Sequence, residues 1–268
     1  MPLYIIRYAE IGLKGKNRRQ FEKKLVDNIK KEIKDKGLKP QIKRVQSRIL
    51  LEVEKEFDLK KIFGISSYSP CIQIKAELKE MSSAALALVK KNIRAKTKTF
   101  RITARRITKE FPFSSPEINK KLGAFIIKKT SLKVDLERPD LDLGIEIIGD
   151  AAFIFSKIFP GPGGLPVGVE GRVLFLVSEE DLIDKKFVLA AFLMRRRGCS
   201  VITLGSSLIS NLKEAEKVAE TFRCRALIVA DTLKSLKDYP VNIPVLRPLV
   251  AFSDKEIKQE LEKYKSLL

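Results

Sequence analysis

Nine residues past the middle of the chain, Pro160-Gly161-Pro162-Gly163-Gly164-Leu165-Pro166-Val167-Gly168, contain four glycines and three prolines. Neither a helix nor a central strand can run through them, because proline lacks an N–H and glycine leaves the backbone loose. The sequence before and after this break must therefore close separate cores, and a length of 268 residues suits two or three compact units. We place the boundaries at 1–75, 76–160 and 161–268.

The same division sorts the charge. Lysine and arginine number 53 against 33 acidic residues, a net +20. Residues 1–75 carry +10 of this, residues 76–160 +7 and residues 161–268 only +3. So large a surplus points to a polyanionic partner, either nucleic acid or an anionic membrane face. No apolar run approaches the roughly 18 residues that span a bilayer. The opening Met1-Pro2-Leu3-Tyr4 lacks the basic and then apolar order of a signal peptide. A cytoplasmic, nucleic-acid-binding protein with no membrane partner is expected, its site within the first 160 residues. A fragment ending near Phe159 is expected to keep most of the affinity.

There is no histidine, which excludes the commonest general base and every Ser-His or Cys-His mechanism. Cys71, Cys199 and Cys224 are too far apart for a zinc or dithiol motif, so buried reduced thiols and no metal site are expected.

Leu3 to Tyr8 reads as a strand, and Phe21, Leu25, Ile29 and Ile33 draw one apolar stripe on a helix that Gly37 ends. Ile49, Leu51 and Val53 alternate as in a half-buried strand, and Leu59 to Phe63 is expected to add a short helix. The interleaving suggests a ferredoxin-like α+β unit. In the second block Phe100, Ile102 and Ala104 face one way along a strand while Arg101, Thr103 and Arg105 face the other, giving one oily and one cationic side. Ser114, Pro116 and Glu117 have the spacing of a capping box with proline in the first turn, ahead of a helix burying Ile118, Leu122, Phe125 and Ile126. After the break, segments at 173–177, 189–194, 201–204, 215–222, 226–230, 233–236 and 244–246, with a helix after Ser253, alternate strand and helix. That alternation implies a parallel sheet with right-handed crossovers.

Three stretches resemble the tRNA 4-thiouridine synthetase, or tRNA sulfurtransferase, family. Arg7-Tyr8-Ala9-Glu10-Ile11-Gly12-Leu13-Lys14-Gly15-Lys16-Asn17-Arg18-Arg19 is similar to its amino-terminal signature. Arg101-Ile102-Thr103-Ala104-Arg105-Arg106-Ile107-Thr108-Lys109-Glu110-Phe111-Pro112 and Ser115-Pro116-Glu117-Ile118-Asn119 resemble its THUMP domain. Gly163-Gly164-Leu165-Pro166-Val167-Gly168 and Pro244-Val245-Leu246-Arg247-Pro248-Leu249 are similar to its linker and a late segment of its nucleotide-binding domain. The resemblance implies a ferredoxin-like domain, a THUMP domain and a reduced Rossmann-like ATPase domain of PP-loop type. It also implies tRNA as partner, thiolation of uridine 8 with ATP and a persulfide, and a homodimer.

Lys14, Lys16, Arg18 and Arg19 and the set Arg101, Arg105, Arg106 and Lys109 are the expected RNA-contacting side chains. For Lys14 to Arg19 a solvated helix start is the plain alternative, and for the second set an ordinary charged strand face. Arg195-Arg196-Arg197 suits a helix end and equally an RNA contact, and Arg247 is expected to hold a loop.

The family's loop of form Ser-Gly-Gly-x-Asp-Ser reads here Ser178-Glu179-Glu180-Asp181-Leu182-Ile183-Asp184. Only Ser178 is plainly retained, and Ser178 and Asp184 are the positions left for a nucleotide. Two glutamates facing a triphosphate cost several kcal/mol, at about 4 kcal/mol for each unit pair at 4 Å in a dielectric of 20. An impaired or borrowed ATP and sulfur site, completed by a sulfur-carrier or ATPase partner, is the expectation. ATP with magnesium enters by resemblance alone. The alternatives are a self-sufficient sulfurtransferase with an unusual loop and a non-enzymatic RNA scaffold.

Overall fold

One strand, β4 (Ser67–Lys75), organises the first half of the chain. In this computed structural model, which describes residues 1–177, 185–205 and 212–267, β4 is long enough to serve two neighbourhoods. Its first half, Ser67 to Cys71, pairs antiparallel with β1 (Leu3–Arg7). Its second half, Ile72 to Lys75, pairs with β8 (Ala151–Phe155). The ladder continues from β1 through β3 (Arg48–Glu52) to β2 (Gln41–Val45). From β8 it continues through β7 (Leu141–Ile148) and β5 (Thr99–Arg106) to the short edge strand β6 (Lys133–Val134). With β9 (Phe159–Pro160) beside β4, these form one nine-stranded sheet.

Helices α2 (Leu78–Asn92) and α3 (Ser115–Lys129) supply one layer over this sheet. Met81, Ala85 and Val89 at four-residue spacing meet Ile118, Leu122 and Ile126, together with Phe100, Ile102 and Ala104 of β5. The expected capping box is present: the Ser114 N–H donates to Glu117 Oε2 at 2.7 Å and Ser114 Oγ accepts from the Glu117 N–H. A smaller apolar cluster joins Ile5, Leu50, Phe153 and Phe155. Gly144 makes it fit, since a β-carbon there would lie 2.0 Å from the Phe155 ring.

Contact density divides the chain into two units. The first comprises residues 1–7, 32–57 and 67–160, and the second residues 8–31, 58–66 and 161–268. In the second unit β10 (Arg172–Val177), β11 (Ser200–Gly205), β12 (Cys224–Ile228) and β13 (Val245–Leu246) form an all-parallel sheet in the order β11-β10-β12-β13. α4 (Lys185–Arg196), α5 (Leu212–Thr221) and α6 (Asp254–Lys263) accompany it, as the strand and helix alternation requires.

The 160–168 break is held rather than loose. The Gly64 N–H donates to Gly163 O at 2.9 Å, Leu165 N–H to Arg196 O at 2.9 Å, and Gly168 N–H to Gly198 O at 2.7 Å. Asn28 Nδ2 reaches Val167 O at 3.0 Å. Residues 59–63 differ from expectation: they form turns, not a helix. Five residues ahead of Gly64 are too few to repay helix nucleation. Asp58 instead accepts the Lys60 N–H, and Leu59, Ile62 and Phe63 are buried from the turn.

Candidate nucleic-acid interface

The face of β5 turned away from α2 and α3 carries Arg101, Thr103 and Arg105, as the alternation requires. β7 runs parallel beside it in the register Arg101 to Asp142, Thr103 to Gly144 and Arg105 to Glu146. Its acids are therefore interleaved with the arginines. Asp142 takes Arg101 through one oxygen and the Thr103 hydroxyl through the other, the latter at 2.7 Å, and Arg101 Nη1 also donates to Leu136 O at 2.7 Å. Glu146, 2% exposed, takes Arg7 Nε at 2.6 Å and Arg48 Nε at 2.5 Å. Arg7 further donates to Ser69 Oγ at 3.0 Å and lies 4.6 Å from the Phe155 ring centre.

These engagements sort the expected RNA contacts. Arg105 and Lys109 are exposed and, among the described residues, pair with no carboxylate. Arg106 is bent back, donating to Phe111 O at 3.0 Å, and shapes the loop after β5. In the second unit Lys16 and Arg19 are likewise exposed without an acidic partner among the described residues. Lys14 lies 5.0 Å from the Phe21 ring centre. Arg18 binds Glu22 at 2.8 Å and the Tyr8 hydroxyl at 2.9 Å, fixing the start of helix α1 (Arg18–Lys34). Burial, with the Glu22 bond second, pushes the Tyr8 hydroxyl up to about 12.

Sequence reasoning missed Arg7, Arg48 and Glu146 as a unit. Glu146 stands 139 residues from Arg7, and no local pattern links them. Beside them, Arg7, Ser67, Thr103, Arg105, Glu146 and Ser156 help line a cavity of about 450 Å³.

The parallel sheet of the second unit reverses its strand order between β10 and β12, where open α/β sheets receive ligands at the carboxyl ends of the strands. Ser178 and Asp184, which follow β10, lie outside the described residues. After β12, Asp231 is already committed: it accepts from Tyr239 Oη at 3.0 Å and the Lys237 N–H at 3.1 Å and stands 3.6 Å from Arg247 Nε. Arg247 in turn donates to Lys237 O at 3.0 Å, so it holds a loop as expected. Arg195 covers Phe63, and Arg196 packs on Tyr264. Cys199 and Cys224 are buried at the amino ends of their strands, and burial pushes both thiols up. No described helix is long and apolar enough to cross a membrane. No described group of three or more acidic or cysteine side chains could hold a metal.

Comparison with known proteins matches residues 3–69 to the ThiI ferredoxin-like domain and residues 75–157 to the THUMP domain. A probable tRNA sulfurtransferase of Methanocaldococcus jannaschii is 36% identical over 98% of this chain and 67% of its own length. One from Thermococcus kodakarensis is 39% identical over 74% of this chain and 53% of its own. The chain thus spans about half to two thirds of such relatives. Among solved structures, PH1313 of Pyrococcus horikoshii superposes with a TM-score of 0.86 at 29% identity, covering 99% of this chain and 100% of that one. A 4-thiouridine synthetase solved in complex with RNA and bound ATP gives a TM-score of 0.78 at 25% identity, over 100% of this chain and 86% of that one. Those matches run through both sequence blocks and the parallel sheet beyond them, and the chain belongs to the ThiI-like tRNA sulfurtransferase family.

Proposed function

We propose that the chain binds tRNA and acts in thiolation of uridine 8, with an ATP and sulfur site that is impaired or supplied by a partner protein. The observation that carries the RNA half is the cationic end of β5, where Arg105, on the face turned from the helices, and Lys109, in the loop that follows, are exposed with no carboxylate partner among the described residues. A relative of the same fold forms a complex with RNA. Two kinds of feature support the impaired site. The sequence has Glu179 and Glu180 where the family's loop has glycines, and close backbone approach to a phosphate needs glycine. At the end of β12, the carboxylate of Asp231 is engaged by Tyr239, Lys237 and Arg247, which favours a structural role for it over one at a nucleotide.

About five phosphate contacts would make log K for tRNA fall with log salt at a slope near −4 to −5. Replacing Arg105 and Lys109 with alanine in the full chain should remove one or two units of slope and weaken binding to all tRNAs alike. Binding that ignores salt ends the RNA reading. Micromolar ATP affinity that disappears on Ser178→Ala ends the impaired-site reading, and unchanged 4-thiouridine in tRNA from cells lacking the gene ends the thiolation reading.

A further inference from the structure

We infer that the cavity beside Glu146 is a binding pocket for the phosphate group of a nucleotide, an assignment that rests on the RNA reading above and gives it a defined site. Its walls come from β1, β4, β5, β7 and the residues following β8, all within the first unit. The two carboxylates that could repel an anion there are occupied. Both oxygens of Glu146 receive guanidinium N–H groups from Arg7 and Arg48, and both oxygens of Asp142 receive Arg101 and Thr103. In the lining itself Arg7 and Arg105 balance Glu146 and Asp142, and Arg48 and Arg101, which bind those two acids without lining the cavity, bring the whole cluster to +2.

The donors that remain point to the ligand. The Arg105 guanidinium and the side-chain hydroxyls of Ser67 and Ser156 make no hydrogen bond with any other described residue, yet all three line the same space. A fork of N–H donors flanked by hydroxyls suits an oxyanion with several acceptor oxygens, as arginine-rich phosphate sites do. The volume of about 450 Å³ exceeds what a bare phosphate fills and falls in the range of small-ligand sites, about 300–1,000 Å³. Ile158, exposed at the rim, offers an apolar edge for the rest of a nucleotide. Glu146 acts as a positioning residue, because it fixes Arg7 and Arg48 behind the pocket.

The phosphate could belong to an RNA chain or to a free mononucleotide, and the test separates them. Full-length protein is titrated into fluorescein-labelled tRNA over a salt series, then with AMP as competitor. The double variant S67A/S156A should bind tRNA about tenfold more weakly with an unchanged salt slope, since two neutral hydroxyls release no counterions. R105A should lose about as much affinity and also about one unit of slope. Both variants should keep the thermal midpoint, because all three side chains reach the surface. If millimolar AMP displaces tRNA from the parent chain and loses that power against the serine variant, the pocket takes free nucleotides. If AMP is inert while the serine effect holds, the phosphate is part of the RNA. Wild-type affinity for tRNA and for AMP in the serine variant overturns the pocket and leaves the RNA reading standing. Should tRNA not bind at all, the RNA reading falls, and the pocket is decided by direct calorimetric titration of AMP into the parent and serine variant: heat lost in the variant upholds it, none in either overturns it.

Discussion

A carboxylate at 2% exposure between two guanidiniums is stable only while both partners hold it, because the loss of hydration costs several kcal/mol per ion. Removing Glu146 would strand Arg7 and Arg48, so Glu146→Ala is expected to lower unfolding free energy by about 3–5 kcal/mol. Urea denaturation measures this, and a loss below 1 kcal/mol would show that the arginines find other partners. Cys71 makes a second residue-scale claim. Burial pushes its thiol up to about 12, with the nearby Arg7 charge acting the other way. The folded pKa lies above the unfolded value near 9, so the unfolded chain gives up the proton first as pH rises. Stability is therefore whole below pH 9 and falls towards pH 12, by at most about 1.4 kcal/mol per pH unit from this group. Between pH 8 and 11 Cys71→Ala should lose less stability than the parent chain; parallel losses in the two would refute the claim.

At the scale of elements, legibility followed how local the determining physics is. The α3 start was readable because Ser114, Pro116 and Glu117 act on one another within a turn. β5 was readable because one of its faces is wet, which preserves the alternation. β7 carries the same alternation, with Leu141, Leu143, Ile145 and Ile147 facing the helices and Asp142, Gly144 and Glu146 the other way, so its period of two is present in the sequence as well. α2 has a signal of its own in the sequence, the Met81, Ala85, Val89 stripe at four-residue spacing. For the candidate site the arginines of β5 could be named in advance, whereas Arg7, Arg48 and Glu146 meet only through the sheet order. No helix or central strand runs through 160–168: Pro160 ends the short strand β9 in the first unit, and residues 161–168 are fastened by hydrogen bonds as a strap within the second unit. Gly164 shows why: it has φ +71°, and a β-carbon there would stand 2.1 Å from Arg196 O. Gly164→Ala should thus cost about 2–4 kcal/mol through strain and displaced backbone, read as a lower denaturation midpoint. An unchanged midpoint would mean that the strap is not fastened at Arg196.

For the whole molecule, the distribution of charge changes once folding regroups the chain. Residues 8–31 and 58–66 join the carboxyl-terminal half and bring +6 to its +3, so the two units hold +9 and +11. The basic surface is shared almost equally between them, although along the sequence nearly all of it precedes residue 160. This bears on any attempt to isolate the RNA-binding part by cutting after Phe159. Such a fragment keeps +17 of charge but contains only residues 8–31 and 58–66 of the second unit. Phe63 would lose its ring contact with Phe192 at 5.2 Å, Gly64 its bond to Gly163, and Asn28 its bond to Val167. Large apolar surface released in this way drives association or local unfolding. Fragment 1–159 is therefore expected to show broadened amide signals for residues 8–31 and 58–66 and dispersed ones for β5, β7 and β8. It should also bind tRNA more weakly than its share of the charge implies, because Lys16 and Arg19 are no longer held in place. Sharp, dispersed signals over 8–31 together with full-length affinity would show that this segment folds without residues 161–268, and the grouping of its charge with the α/β unit would have to be abandoned.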